Sequence, residues 1–69
     1  MKLLINGQEK EIGGGLNLKQ LLTSLQVNPY TVVVEHNEAV IHYKKFESVK
    51  IVEGDKIEIV HFVGGGMSS

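Results

Sequence analysis

Ile57-Glu58-Ile59-Val60-His61-Phe62-Val63-Gly64-Gly65-Gly66-Met67-Ser68-Ser69 closes the chain, and its change of character after Val63 decides how the rest is read. The first part is rich in branched and aromatic residues and is entered through the turn Glu53-Gly54-Asp55, which together read as a strand. Three glycines follow. They have nothing to pack and lose the most backbone entropy on ordering, so they do not continue a strand. The expectation is a domain over residues 1–63 and a mobile glycine-rich tail over residues 64–69. Such a tail can be pushed into a narrow site on another protein, where missing Cβ atoms let backbone and carboxylate approach a reagent. A frayed C-terminus is the plainer alternative, since most domains have one. Alternation along the strand puts Ile57, Ile59, His61 and Val63 on one face and Glu58, Val60 and Phe62 on the other. If the isoleucines face a helix, Val60 and Phe62 point outward as a partner-docking patch beside the tail. The competing expectation is that Phe62 folds over a loop edge.

Upstream, residues 2–6 read as a strand meeting a turn at Asn6-Gly7, the pair that best supplies the two positive-φ positions of a type I′ hairpin. Residues 10–12 form the expected return strand, with Gln8 and Glu9 facing water near the turn. Gly13-Gly14-Gly15 breaks the chain before a helix. A phosphate-cradling role for these glycines is disfavoured, because the spacing fits neither the P-loop nor the dinucleotide pattern. Asn17 caps the helix, Gln20 completes a capping box, and Leu16 and Leu21 occupy the staple positions. Leu18, Leu21, Leu22 and Leu25 repeat at helical spacing and give one apolar stripe. Pro29 ends the segment. Thr31-Val32-Val33-Val34-Glu35 is the most β-prone run and reads as a central strand. His36-Asn37-Glu38 turns the chain into a shorter strand over residues 39–43. Residues 44–52 have no clear period, although Phe46, Val49 and Ile51 are expected to be buried. The order gives a mixed sheet with one helix across it, an α+β fold.

At 69 residues the chain has room for one core, and a domain of this size buries only about 60% of its unfolded surface. There is no cysteine, so disulfides, thiolate metal sites and thiol nucleophiles are absent. The 42% hydrophobic content must carry the core alone. A net charge of −1 and few aromatics argue against nucleic-acid binding. No apolar run approaches the ~20 residues needed to span a bilayer, and residues 1–6 are too short for a signal peptide. The expectation is a soluble cytoplasmic protein with neither nucleic-acid nor membrane partners.

Candidate sites within the domain are few. His36, His42 and His61 have neither mutual spacing nor acidic neighbours that make a metal motif, so they read as surface or structural histidines. No spacing argues a catalytic triad, and Glu9 with Glu11 reads as a solvated strand face. No catalytic residue, metal site or bound cofactor is expected.

These marks together resemble the ThiS family of sulfur carriers and, more broadly, the ubiquitin-like β-grasp carriers. The resemblance covers nearly the whole chain. It rests on the Asn6-Gly7 hairpin, Leu18-Lys19-Gln20-Leu21-Leu22, Val34-Glu35-His36-Asn37-Glu38-Ala39-Val40-Ile41, Glu53-Gly54-Asp55-Lys56-Ile57-Glu58-Ile59-Val60 and the glycine tail. It implies a β-grasp fold with a mixed four- to five-stranded sheet packed on one main helix. It also implies a carrier that is not itself an enzyme. A ThiF-like adenylating partner, using its own ATP and Mg²⁺, would activate the carboxylate of Gly66, with Gly64 and Gly65 threading the tail. Sulfur would then replace AMP, and a ThiG-like thiazole synthase would take it for thiamine. Val60 and Phe62 match the outward docking positions of such carriers. The family pattern ends in Gly-Gly, whereas this chain continues with Met67-Ser68-Ser69. Three readings stand: a peptidase removes these residues, the chain is not charged in this form, or they are an artificial extension. Alternative functions are a carrier like the small subunit of molybdopterin synthase, or a β-grasp interaction module that never uses its tail covalently.

Overall fold

The computed structural model describes residues 1–62; Gly64, Gly65, Gly66, the 64–69 tail and the boundary at residue 63 lie outside them. The elements are strand β1 (Lys2–Ile5), strand β2 (Gln8–Glu11), helix α1 (Leu18–Ser24), a short 3-10 helix (Pro29–Thr31), strands β3 (Val32–His36) and β4 (Ala39–Ile41), a second 3-10 helix (Tyr43–Ser48), and strand β5 (Lys56–His61). The five strands form one sheet in the order β2-β1-β5-β3-β4. β1 and β5 run parallel, and every other neighbouring pair is antiparallel. This is the expected mixed sheet on one main helix. No helix is long and apolar enough to cross a membrane among the described residues.

The first hairpin turns on Asn6 and Gly7, both at positive φ (50° and 80°). The turn is so tight that β2 starts at Gln8, paired with Ile5, two residues earlier than the sequence suggests. All four β2 residues are exposed, because this edge strand lies where neither face meets the helix. α1 has the full capping box: the Asn17 side chain accepts from the Gln20 N–H at 2.8 Å, and the Gln20 side chain accepts from the Asn17 N–H at 2.9 Å.

Pro29 is not what stops the helix. Gln26 sits at φ 60°, the Gln26 N–H donates to the Thr23 carbonyl, and the Val27 N–H donates to the Leu22 carbonyl, both at 2.9 Å. That is a Schellman ending, with glutamine at the left-handed position usually given to glycine. Pro29 instead opens the first 3-10 helix, whose Tyr30 N–H is capped by the Asn28 side chain at 2.9 Å.

The core lies between the inner sheet face and α1. Leu3, Ile5, Val32, Val34, Ile57 and Ile59 point inward from the strands, and Leu18, Leu21 and Leu22 meet them from the helix. The valine run of β3 is therefore buried on one face only, since Val33 points to the bare outer face. β3 is an interior strand, but the middle of the sheet is β5. β4 stops at Ile41, two residues short of the expected end, because His42 turns to cap the second 3-10 helix. Within that helix Phe46 closes one end of the core, a burial worth about 1.5–3 kcal/mol. The next residues run beside the entry to α1, with the Leu18 N–H donating to Val49 and the Ile51 N–H donating to Leu16.

Candidate functional site

β5 carries the chain from a buried turn to the root of its C-terminal segment. At its entry Asp55 is 6% exposed. Its carboxylate bonds His36 Nε2 at 2.8 Å and accepts from Asn37 Nδ2 at 3.1 Å and the Val52 N–H at 3.0 Å. Burial pushes its pKa up, but bonds from His36, the Val52 N–H and Asn37, with the charge of His36, outweigh that and hold it below the ordinary value. Asn37 completes the clamp: its N–H donates to the Lys56 carbonyl at 2.8 Å and its side-chain oxygen accepts from the Lys56 N–H at 2.9 Å.

Beyond the short parallel ladder, Asn6 takes over as the partner of β5. Its side chain accepts from the Ile59 N–H at 2.7 Å and donates to the Ile59 carbonyl at 3.2 Å. These two bonds replace a missing strand residue and fix Ile59 inward. Period-two alternation then turns Val60 outward.

At the exit of β5 the surroundings change. Val60 is 59% exposed and Phe62 is 47% exposed. The Phe62 N–H still donates to the Thr31 carbonyl at 3.2 Å, so the sheet holds this residue rather than leaving it over a loop edge. Val33 lies directly across from Val60, and Val40, 66% exposed, stands on the neighbouring edge strand. Around that edge Tyr30 and Tyr43 meet edge to face at 5.6 Å, and His42 stacks on Tyr43 at 4.8 Å. Together these side chains border an open groove of about 480 Å³ that includes Phe62.

The sequence indicates Val60 and Phe62 but misses Val33, Val40, Tyr30 and Tyr43. Val33 is hidden inside a uniform valine run, whose outward member shows only once one-sided burial is known. The tyrosines come together through the second 3-10 helix, which has no readable period. Two histidines have structural partners: His36 on Asp55, and His42, whose Nδ1 accepts from the Lys44 N–H at 3.2 Å. Among the described residues no group of three or more His, Cys, Asp or Glu side chains is placed to hold a metal. The arrangement offers an apolar platform at the root of the glycine segment and no nucleophile or acid–base pair beside it.

The family model of the ThiS family matches residues 3–66. The sulfur carrier protein ThiS of Bacillus subtilis (strain 168) is 38% identical over 68 residues, covering 93% of this chain and 98% of its own. A thiazole synthase of Paramagnetospirillum magneticum is 39% identical over 66 residues, which is 96% of this chain and 20% of that protein. The chain thus spans about a fifth of that relative's length. The crystal structure of the thiamine biosynthesis protein (ThiS) from Geobacter metallireducens superposes with a TM-score of 0.83 at 35% identity, covering 96% of this chain and 100% of that one.

Proposed function

The chain belongs to the ThiS family, and from that premise we propose that it is a sulfur carrier of thiamine biosynthesis, charged at the carboxylate of Gly66. One observation carries the reading: the family match runs to Gly66 and stops before Met67-Ser68-Ser69, directly downstream of a strand whose exit is flanked by exposed apolar side chains.

The chemistry follows from what a terminal glycine can do. A carboxylate is a poor electrophile until one oxygen becomes a leaving group. In the adenylating partner, a Gly66 carboxylate oxygen attacks the α-phosphorus of ATP and pyrophosphate leaves. Mg²⁺ on that partner offsets the phosphate charge. Sulfur at the hydrosulfide level, delivered by a donor, then attacks the acyl carbon, the bond to AMP breaks, and a glycyl thiocarboxylate remains. Thiazole synthase takes the sulfur. With no Cβ at Gly66, neither attack is hindered from the side. The carrier supplies the acyl group and the docking platform of Val60 and Phe62, while Gly64 and Gly65 pass through the partner's channel. It holds no cofactor and performs no catalysis itself.

Met67-Ser68-Ser69 must be removed first. Ser69 carries a side chain that crowds a glycine channel, and three extra residues overshoot by roughly 10 Å if extended. The reading includes a peptidase that cuts between Gly66 and Met67, for which an extended glycine backbone is a suitable substrate. The extension also favours a second reading, a β-grasp interaction module whose tail stays unmodified.

The test is to incubate chains ending at Gly66 and at Ser69 with the adenylating enzyme, ATP, Mg²⁺ and a sulfur donor, then weigh them intact. Replacement of one oxygen by sulfur on the Gly66 form alone is the expected result. No change on either form, with an enzyme active on its own carrier, moves the assignment to the interaction module.

A further inference from the structure

The outer face of the sheet carries a feature that the apolar platform does not explain. Glu35 on β3 and Glu58 on β5 are directly opposite in the register. Both are half-buried on the face away from α1. Directly opposed residues on one face have Cβ atoms about 4.5–5.5 Å apart, and like charges there destabilise a sheet. Among the described residues the ion pairs are Met1 with Glu11, Lys19 with Glu47, His36 with Asp55 and Lys56 with Glu38. Neither Glu35 nor Glu58 takes part. The nearest cation along β5, Lys56, is turned to Glu38 at 3.6 Å. The acidic pair adjoins the platform without a break: Val33 and Val60 form the next rung, and Val40 lies across from Glu35 on the other side.

We infer that Glu35 and Glu58 together receive one cationic side chain, an arginine or lysine, from thiazole synthase when its surface covers Val33, Val60 and Phe62. The inference rests on the carrier reading above and adds a specificity determinant to it. Two carboxylates converging from adjacent strands match the fork of a guanidinium better than a single acid does. Apolar side chains on two sides shed water when the partner seats, which strengthens the attraction between the charges that remain. The repulsion stored in the free carrier is relieved only in the complex. Thiazole synthase is the occupant because the Paramagnetospirillum magneticum thiazole synthase carries a segment matching this chain within its own polypeptide.

The test compares the full chain with the double variant Glu35→Gln, Glu58→Gln, measuring thermal midpoint and binding to thiazole synthase from the same organism at low and physiological salt. A control with the same charge change elsewhere is Glu9→Gln, Glu47→Gln. The acidic-pair variant should melt higher than the unmodified chain, because a like-charge contact has gone, yet bind about 5- to 10-fold more weakly at low salt. Its affinity should also vary less with salt, and the control should bind like the unmodified chain. Equal affinity and equal salt dependence for the acidic-pair variant would overturn the inference while leaving the carrier reading intact. A lower midpoint with unchanged affinity would assign the pair a structural role and overturn it as well. Failure of the unmodified chain to bind the synthase at all would overturn both the inference and the reading beneath it.

Discussion

The two ends of β5 are held by opposite means. At the entry, Asp55, His36, Asn37 and the Lys56 backbone form a closed set of polar bonds around a buried carboxylate. At the exit, one backbone bond from Phe62 to Thr31 holds the chain while valine, phenylalanine and tyrosine side chains stand in solvent. The difference has a purpose in strand geometry. A slip of one residue would turn every side chain of β5 to the other face. Fixing the entry with directional bonds, and the middle with Asn6, therefore determines that Val60 and Phe62 emerge outward. Rigidity at one end specifies the surface presented at the other, and leaves that surface free to be covered by a partner.

The contrast breaks most visibly at Asp55. Replacing it with alanine leaves the Val52 N–H, Asn37 and His36 without their acceptor, a loss of about 2–4 kcal/mol in urea unfolding. Docking at the far end should survive in the molecules that remain folded. The same carboxylate sets an acid limit. Its folded pKa lies below the ordinary value of 3.8, so its stabilisation is fully present above that value and is lost as pH falls through the folded pKa. Urea midpoints followed downward from pH 6 should therefore drop more steeply below pH 4 for the unmodified chain than for Asp55→Asn.

Phe62→Ala attacks the other end and should show the inverse pattern. Half of the ring is already in water, so the fold loses about 1 kcal/mol or less. Binding to the adenylating enzyme or to thiazole synthase loses about 2 kcal/mol, the usual scale for an exposed aromatic anchor. A large fall in the urea midpoint would place Phe62 in the core and remove the distinction between the ends.

The smallest effect sharpens the contrast instead. Glu38 stands at φ 73° in the turn between β3 and β4, where the equivalent position of the first hairpin has Gly7. Glu38→Gly relieves that backbone strain by about 0.5–1 kcal/mol, offset by loss of an exposed pair with Lys56 worth about 0–1 kcal/mol. The midpoint should rise slightly or hold, and partner binding should not change.

How much of this was legible beforehand follows the same physics. Features written in neighbouring residues could be read: the Asn6-Gly7 turn, the Asn17–Gln20 box, the leucine stripe of α1 and the alternation of β5. Features made by distant residues could not. The Asp55–His36 contact joins positions far apart in sequence, the parallel pairing of β1 with β5 has no local mark, and Glu35 faces Glu58 only through the register. The second 3-10 helix was illegible because Phe46 is buried without any repeating neighbour to announce it. Of the tail, the residue types alone spoke for its chemistry, while its geometry lies beyond the described chain.

The most direct measurement of the central claim is the mass of the C-terminus in the natural host. The chain is expressed untagged in cells starved of thiamine, recovered without reducing heat, and weighed intact and after digestion. The account expects a chain ending at Gly66, with a fraction carrying sulfur in place of one carboxylate oxygen. Full-length protein ending at Ser69 as the only form, whether unmodified or bearing sulfur on Ser69 itself, would contradict it.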